Sequence, residues 1–162
     1  MHNKRWLTVL LVTLAAVTQQ AAIAGDATAA SSYVLRGWKN VATGYCLDSN
    51  AAGDVYTRPC SSGVNNFQRW KVSLTGAVED YRFFELQNYA TGLCLESNVW
   101  NAVYTHACTR GNNQTWVSGK LDHGYIFTNN ATNKVLDSNA DRKVYTHDYN
   151  AGNFQQWISL NY

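Results

Sequence analysis

Three copies of one unit fill most of this chain and predict an all-β fold closed around a pseudo-three-fold axis. The first observation is a Gln-x-Trp triplet that ends every copy: Gln68 with Trp70, Gln114 with Trp116, and Gln155 with Trp157. The second is a Val-Tyr-Thr triplet at Val55, Val103 and Val144, each nine residues after the start of CLDSN, CLESN or VLDSN. The third is a set of short apolar runs, such as YVLRGW, FFELQN and GYIFTN, separated by Gly, Asn, Asp and Ser. Short runs bounded by turn-forming residues read as strands, and no helix-length amphipathic stretch follows the N-terminal segment. A propeller typically needs four to eight blades, and a solenoid needs distinctive end repeats. A closed three-fold unit fits the count better.

The N-terminal segment stands apart. His2 to Arg5 is basic, LTVLLVTLAAV is apolar, and AAIAGDATAASS is rich in small residues. That order predicts a secretory signal over residues 1–30, cleaved near 24–30. The apolar run falls short of the roughly 20 residues that span a bilayer; a membrane anchor or a buried helix is the competing reading. Cleavage after Ala24 would remove Lys4 and Arg5 from the 13 basic residues, leaving 11 against 11 acidic ones. A near-neutral domain lacks the basic face usual in nucleic-acid binders, so nucleic acid is not an expected partner. The remainder, residues 31–162, suits one domain. It holds no later run long enough to cross a membrane, and an exported, soluble protein is expected.

Within that domain the copies cover about 33–75, 76–120 and 121–162. Asn40, Asn88 and Asn129 align near their starts, as do Leu47, Leu95 and Leu136. Asn133 replaces Gly44 and Gly92, a reasonable exchange where the turn needs a left-handed backbone. Cys46 and Cys60 are fourteen residues apart, as are Cys94 and Cys108, whereas the third copy has Val135 and Tyr149 instead. Joint loss of both members predicts the pairs Cys46–Cys60 and Cys94–Cys108. Each would close a short loop and contribute about 2–4 kcal/mol. In the third copy Val135 and Tyr149 are expected to replace the bridge by apolar packing. Zinc binding is the competing reading, without a close C-x-x-C or paired histidine to support it.

Three Gln-x-Trp closures in register, with CLDSN near the start, resemble the ricin B-type β-trefoil lectins over most of the chain from Tyr33 to Tyr162. The fuller pattern LDSN…VYT…GNFQQW is most similar to their actinohivin-like, mannose-binding branch. The resemblance implies a β-trefoil of twelve short strands, a six-stranded barrel capped by three hairpins, with one potential sugar pocket per copy. It also implies that Gln68, Gln114 and Gln155 satisfy buried backbone groups near the axis. Trp70, Trp116 and Trp157 read as shared core rather than sugar platforms, because one large apolar residue per copy suits burial.

Asp48, Glu96 and Asp137 follow the core leucines with no basic residue at a fixed offset. A carboxylate can accept from two adjacent sugar hydroxyls; the residues alone suggest an Asx turn, and the resemblance favours sugar. Tyr56, Tyr104 and Tyr145 offer an apolar face and a hydroxyl rim. The resemblance further implies an Asn after the second cysteine position and an aromatic before the closing Gln. The third copy has the full set: Asp137, Tyr145, Asn150 and Phe154. The first has Asp48, Tyr56 and Phe67, but Ser61 and a two-residue insertion near Val64. The second has Glu96 and Tyr104, with Thr109 and Asn113. The expected order of binding is third, first, second.

No enzyme is expected. His106 and His147 are equivalent positions of different copies, where the first has Arg58, so a shared metal is not expected. No G-x-S-x-G motif occurs. Asp48 and Asp137 belong to different copies, unsuited to a glycosidase pair about 5–10 Å apart. The expected partners are glycans or polysaccharides, with no cofactor and no metal; nothing points to an oligomeric state. The favoured sugar is mannose, with galactose or plant polysaccharide as alternatives. A protein-binding trefoil is the alternative of another class, with Val64 and VSLTGAVEDYRFF as its expected loops.

Overall fold

A computed structural model describes residues 32–162; the expected signal at 1–30 lies outside the described residues. No helix among the described residues is long and apolar enough to cross a membrane. The first copy contributes β1 (Tyr33–Asn40), β2 (Tyr45–Ser49), β3 (Val55–Pro59) and β4 (Trp70–Val78). The second contributes β5 (Tyr81–Asn88), β6 (Cys94–Ser97), β7 (Val103–His106) and β8 (Trp116–Lys120). The third contributes β9 (Tyr125–Asn129), β10 (Val135–Ser138), β11 (Val144–His147) and β12 (Trp157–Asn161). A single 3₁₀ turn precedes each closing tryptophan, at Asn66–Gln68, Asn112–Gln114 and Asn153–Gln155.

Six of these strands close a barrel. β1 pairs with β12 and β4, β4 with β5, β5 with β8, β8 with β9, and β9 with β12, all antiparallel. The other six form the hairpins β2–β3, β6–β7 and β10–β11, each joined to the barrel through its first strand. Closure leaves no free barrel edge. This is a β-trefoil.

The core follows the repeat. Trp70, Trp116 and Trp157 are fully buried, as are Leu47, Leu95 and Leu136; Val55, Val103 and Val144 complete the layer. Each indole N–H donates to a leucine carbonyl of its own copy: Trp70 to Leu47, Trp116 to Leu95, Trp157 to Leu136, at 2.9–3.2 Å. Burial of the ring therefore leaves no polar atom unpaired, and truncating one indole would cost about 3–5 kcal/mol. A fourth position, Trp38, Leu86 and Phe127, is also buried, with Trp38 edge-on to Phe127 at 4.7 Å. Its three different side chains hid this alignment in the sequence.

The turns repeat as well. Asn40, Asn88 and Asn129 each donate through Nδ2 to a backbone carbonyl of another copy's 3₁₀ turn or its own predecessor's, at Phe154, Phe67 and Asn113. Their Oδ1 atoms cap the next turn, which ends at Gly44 and Gly92 with φ of 70° and at Asn133 with φ of 57°. The left-handed backbone explains the Gly-to-Asn exchange. Cys46–Cys60 and Cys94–Cys108 are disulfide-bonded. The third copy differs from the apolar replacement read from the sequence. Val135 is buried, but Tyr149 is exposed, and Lys134 instead pairs with Asp148 at 2.6 Å, each one residue earlier in the chain, just outside β10 and β11. The segment expected to be a loop, VSLTGAVEDYRFF, is also corrected: it forms the long β4–β5 hairpin with one bulge between Leu74 and Gly76.

Candidate functional site

The hairpin register creates the same constellation three times. Asp48 faces Tyr56 across β2–β3, Glu96 faces Tyr104 across β6–β7, and Asp137 faces Tyr145 across β10–β11. Directly opposed residues of an antiparallel pair share one face, so each acid lies beside its tyrosine. The 3₁₀ turn then brings up the closing glutamine. Its Oε1 accepts from the backbone N–H of Ser61, Thr109 or Asn150, which fixes the loop after the second cysteine position. Its Nε2 donates to the carbonyl of Pro59, Ala107 or Asp148. The glutamines thus satisfy buried backbone groups, and they do so beneath the acid–tyrosine pair.

The three acids differ in what they have left to offer. Asp48 accepts from Gln68 Nε2 at 3.0 Å. Glu96 has both oxygens engaged: Oε1 accepts from the Tyr104 hydroxyl and Oε2 from Gln114 Nε2, both at 2.8 Å. Asp137 is only 3% exposed, yet its buried Oδ1 has no hydrogen-bond partner. A buried acceptor left unpaired is costly unless something else supplies the donor. Burial pushes the Asp137 carboxyl above its ordinary value, with Gln155, the Ser138 N–H, His147 and Tyr145 opposing the rise in part. Burial likewise raises Asp48, against Gln68, Arg58, the Ser49 N–H and Tyr56.

Around Asp137 the chain forms a cavity of about 190 Å³, lined by Tyr145, His147, Asn150, Gly152 and Phe154. All four third-copy residues singled out in the sequence therefore meet at one place. Asn150 Oδ1 is engaged by the Gly152 N–H at 2.8 Å, which turns its amide nitrogen free as a donor. Phe154 is 41% exposed, an aromatic face open at the rim. In the first copy Phe67 is equally exposed, but the Arg58 guanidinium lies 5.2 Å over the Tyr56 ring. In the second, Asn113 replaces the aromatic and the tyrosine hydroxyl is already spent on Glu96. His147 and its equivalent His106, read from the sequence as rimming the pockets or facing solvent, are both exposed, and His147 lines the third cavity. Glu85 lies near Cys94 and Cys108, but those sulfurs are bonded to each other and offer no thiolate to a metal.

Residues 38–157 match the model of the ricin-type beta-trefoil lectin domain. The chain belongs to this family. No curated protein sequence matches it. Among solved structures it is similar to one described as SeviL bound to asialo-GM1 saccharide, at 15% identity and a TM-score of 0.63, over 80% of this chain and 98% of that one. It is also similar to the Haemophilus ducreyi cytolethal distending toxin, at 16% identity and a TM-score of 0.65, over 76% of this chain and 81% of that one. At such identities these two likenesses speak for the fold. In this ricin-type lectin domain, the family's carbohydrate-binding character and the acid–tyrosine hairpins point the same way.

Proposed function

We propose that the chain is an exported, non-catalytic lectin whose principal glycan site is the third-copy cavity, with mannose-type glycans as ligands. The observation that carries this reading is the unpaired Oδ1 of Asp137, buried at a cavity whose other walls supply a tyrosine, a free amide donor and an exposed aromatic. A sugar hydroxyl donates to the carboxylate, the Asn150 amide donates to a sugar oxygen, and the C–H face of the ring packs on Tyr145 or Phe154. At about 190 Å³ the cavity is smaller than the ~300–1,000 Å³ of drug-sized sites, so it suits a single sugar ring held weakly. The first copy, with Asp48, Tyr56 and Phe67, acts as a weaker second site. Two sites on one branched glycan would raise apparent affinity by about 10²–10⁴. Glu96 and Tyr104 satisfy each other, and the second site is silent. Two disulfides favour an oxidising compartment outside the cytosol.

A glycan array tests function and sugar class together. Binding concentrated on high-mannose glycans supports the reading, whereas binding confined to galactose-type sugars or plant polysaccharides would move the specificity within the family. A second reading, a protein-binding trefoil, is favoured by one feature: the Val99–Trp100 turn, where the indole is 83% exposed. Absence of retention on every glycan would select it.

A further inference from the structure

The three hairpins meet one another around the pseudo-axis through three equivalent junctions. At each, a turn carbonyl of one copy accepts from the threonine N–H of the next: Gly53 from Thr105, Asn101 from Thr146, and Arg142 from Thr57. A bridge between neighbouring strand residues accompanies every one: Asp54 with Tyr104, Ala102 with Tyr145, and Lys143 with Tyr56. The junctions should be alike. Two of them are closed by a buried hydroxyl pair, Ser49 with Thr105 at 3.1 Å and Ser97 with Thr146 at 2.9 Å. At the third, the corresponding Ser138 and Thr57 hydroxyls are both fully buried and neither has a partner. A cavity of about 510 Å³ opens there, between the turn of the third copy and β3 of the first.

Charge is as uneven as packing. The three variable positions of a junction read Gly53, Asp54 and His106 in the first, and Asn101, Ala102 and His147 in the second. In the third they read Arg142, Lys143 and Arg58, and all three line the cavity, against one carboxylate, Asp141. None of these cations is in an ion pair, since Lys134–Asp148 is the one salt bridge among the described residues. Arg142 also holds a φ of +67°, where the other copies place Gly53 and Asn101, residues that adopt this region more readily. Arg58 is stacked over Tyr56 and Arg142 over Tyr45, so both guanidiniums are held in place rather than loose in solvent. Like charges gathered in one concavity repel in the free protein, and an anion relieves that repulsion.

We propose that this junction is a further ligand site, distinct from the sugar pockets of the copies and selective for an acidic saccharide, with Arg58, Arg142 and Lys143 binding its carboxylate or sulfate group. The Thr57 hydroxyl is the buried polar group of the cavity that the protein leaves unpaired, and it supplies a further hydrogen bond. Tyr145 contributes to both this cavity and the third-copy one, so the two sites are neighbours. That the anion is carried on a sugar rests on the proposed function; the selectivity for negative charge rests on the junction itself.

The test uses the full domain on immobilised polygalacturonate, heparin and neutral mannan, at low and high salt. The double variant Arg142→Asn with Lys143→Ala installs the residues of the second junction, which the same backbone already accepts. The wild type should be retained on an acidic resin and released by salt, since screening weakens such contacts. Retention on polygalacturonate identifies a carboxylate ligand; retention on heparin alone identifies a sulfate. The double variant should lose about tenfold or more in affinity there, and keep its binding to mannan. A charge-matched control, Lys71→Ala with Lys120→Ala, should leave acidic binding nearly intact. No retention of the wild type on either acidic polymer, or equal loss in the control, overturns the proposal. Loss of mannan binding in Asp137→Ala bears only on the third-copy site, so the two readings fail separately.

Discussion

The Tyr104 hydroxyl donates to Glu96 Oε1 at 2.8 Å, and this bond separates the second copy from the third. Glu96 reaches both its tyrosine and Gln114, so each of its oxygens already has a partner. Asp137, in the same register, has a buried oxygen unpaired. The same hairpin register thus yields a closed copy and an open one.

The first prediction follows from that pairing. Glu96→Ala should leave glycan binding unchanged and cost about 1–3 kcal/mol of stability, because it strands one N–H of the Gln114 amide while the other still donates to Ala107. Urea denaturation beside a binding titration measures both quantities. A substantial loss of glycan binding in this variant would show the second site to be active.

Acidification should separate binding from folding. Burial holds the Asp48 and Asp137 carboxyls above the ordinary 3.8, so folding favours their neutral forms. Their contribution to stability is fully present below 3.8 and is lost as pH rises through the raised values. Under the proposed function, sugar binding uses the ionised carboxylate and runs the other way, falling as pH drops through the same values. Asp148 has the opposite sign. The hydrogen bond from Lys134 holds it below 3.8, so its contribution is present above 3.8 and lost as pH falls through the lowered value. Binding and melting curves across the acidic range should therefore show affinity declining before the fold does. Affinity unchanged down to the ordinary aspartate range would contradict this.

Two glycines should respond differently. Gly53 has a φ of +94°, and a Cβ there would lie 2.7 Å from the Thr105 carbonyl oxygen. Gly53→Ala should cost about 1–3 kcal/mol through that clash and the strained backbone. Gly44 also has positive φ but no atom near its missing Cβ, and Asn133 fills the equivalent turn. Gly44→Asn should cost well under 1 kcal/mol. Equal effects in thermal denaturation would refute the distinction.

Removing one bridge tests the independence of the copies. Cys94→Val with Cys108→Ala should lower stability by about 2–4 kcal/mol, while leaving the third-copy site at full affinity. Chemical denaturation and a glycan titration on the same sample check both parts.

Much of this was legible because identical positions recur in triplicate. The leucine, valine and tryptophan positions repeat with the same residue, so the β-trefoil and twelve of its thirteen core side chains fall on four aligned positions, three of them visible. The fourth was hidden because Trp38, Leu86 and Phe127 share only size and apolarity. The acids and the tyrosines were each visible as recurring positions, and the family resemblance assigned them to one pocket; their pairing across the hairpin is what the structure adds. What each acid bonds to was not visible, since even the identical side chains of Asp48 and Asp137 differ in their partners and only the placement of the neighbouring donors decides it. Tyr149 misled for a similar reason: the composition allowed an apolar plug, but the ion pair of Lys134 with Asp148 bridges the strands beside it and leaves the ring in solvent. The basic junction was invisible because Arg58 lies more than eighty residues from Arg142 and Lys143 in sequence, and only closure of the trefoil joins them.

The central claim is that Asp137 makes the third copy the principal sugar site. Calorimetric titration of a high-mannose glycan into the wild type, Asp137→Ala and Asp48→Ala tests it most directly, with circular dichroism to verify the fold. The account predicts that Asp137→Ala removes most of the binding heat while Asp48→Ala removes a minor part. Full binding by folded Asp137→Ala would contradict it.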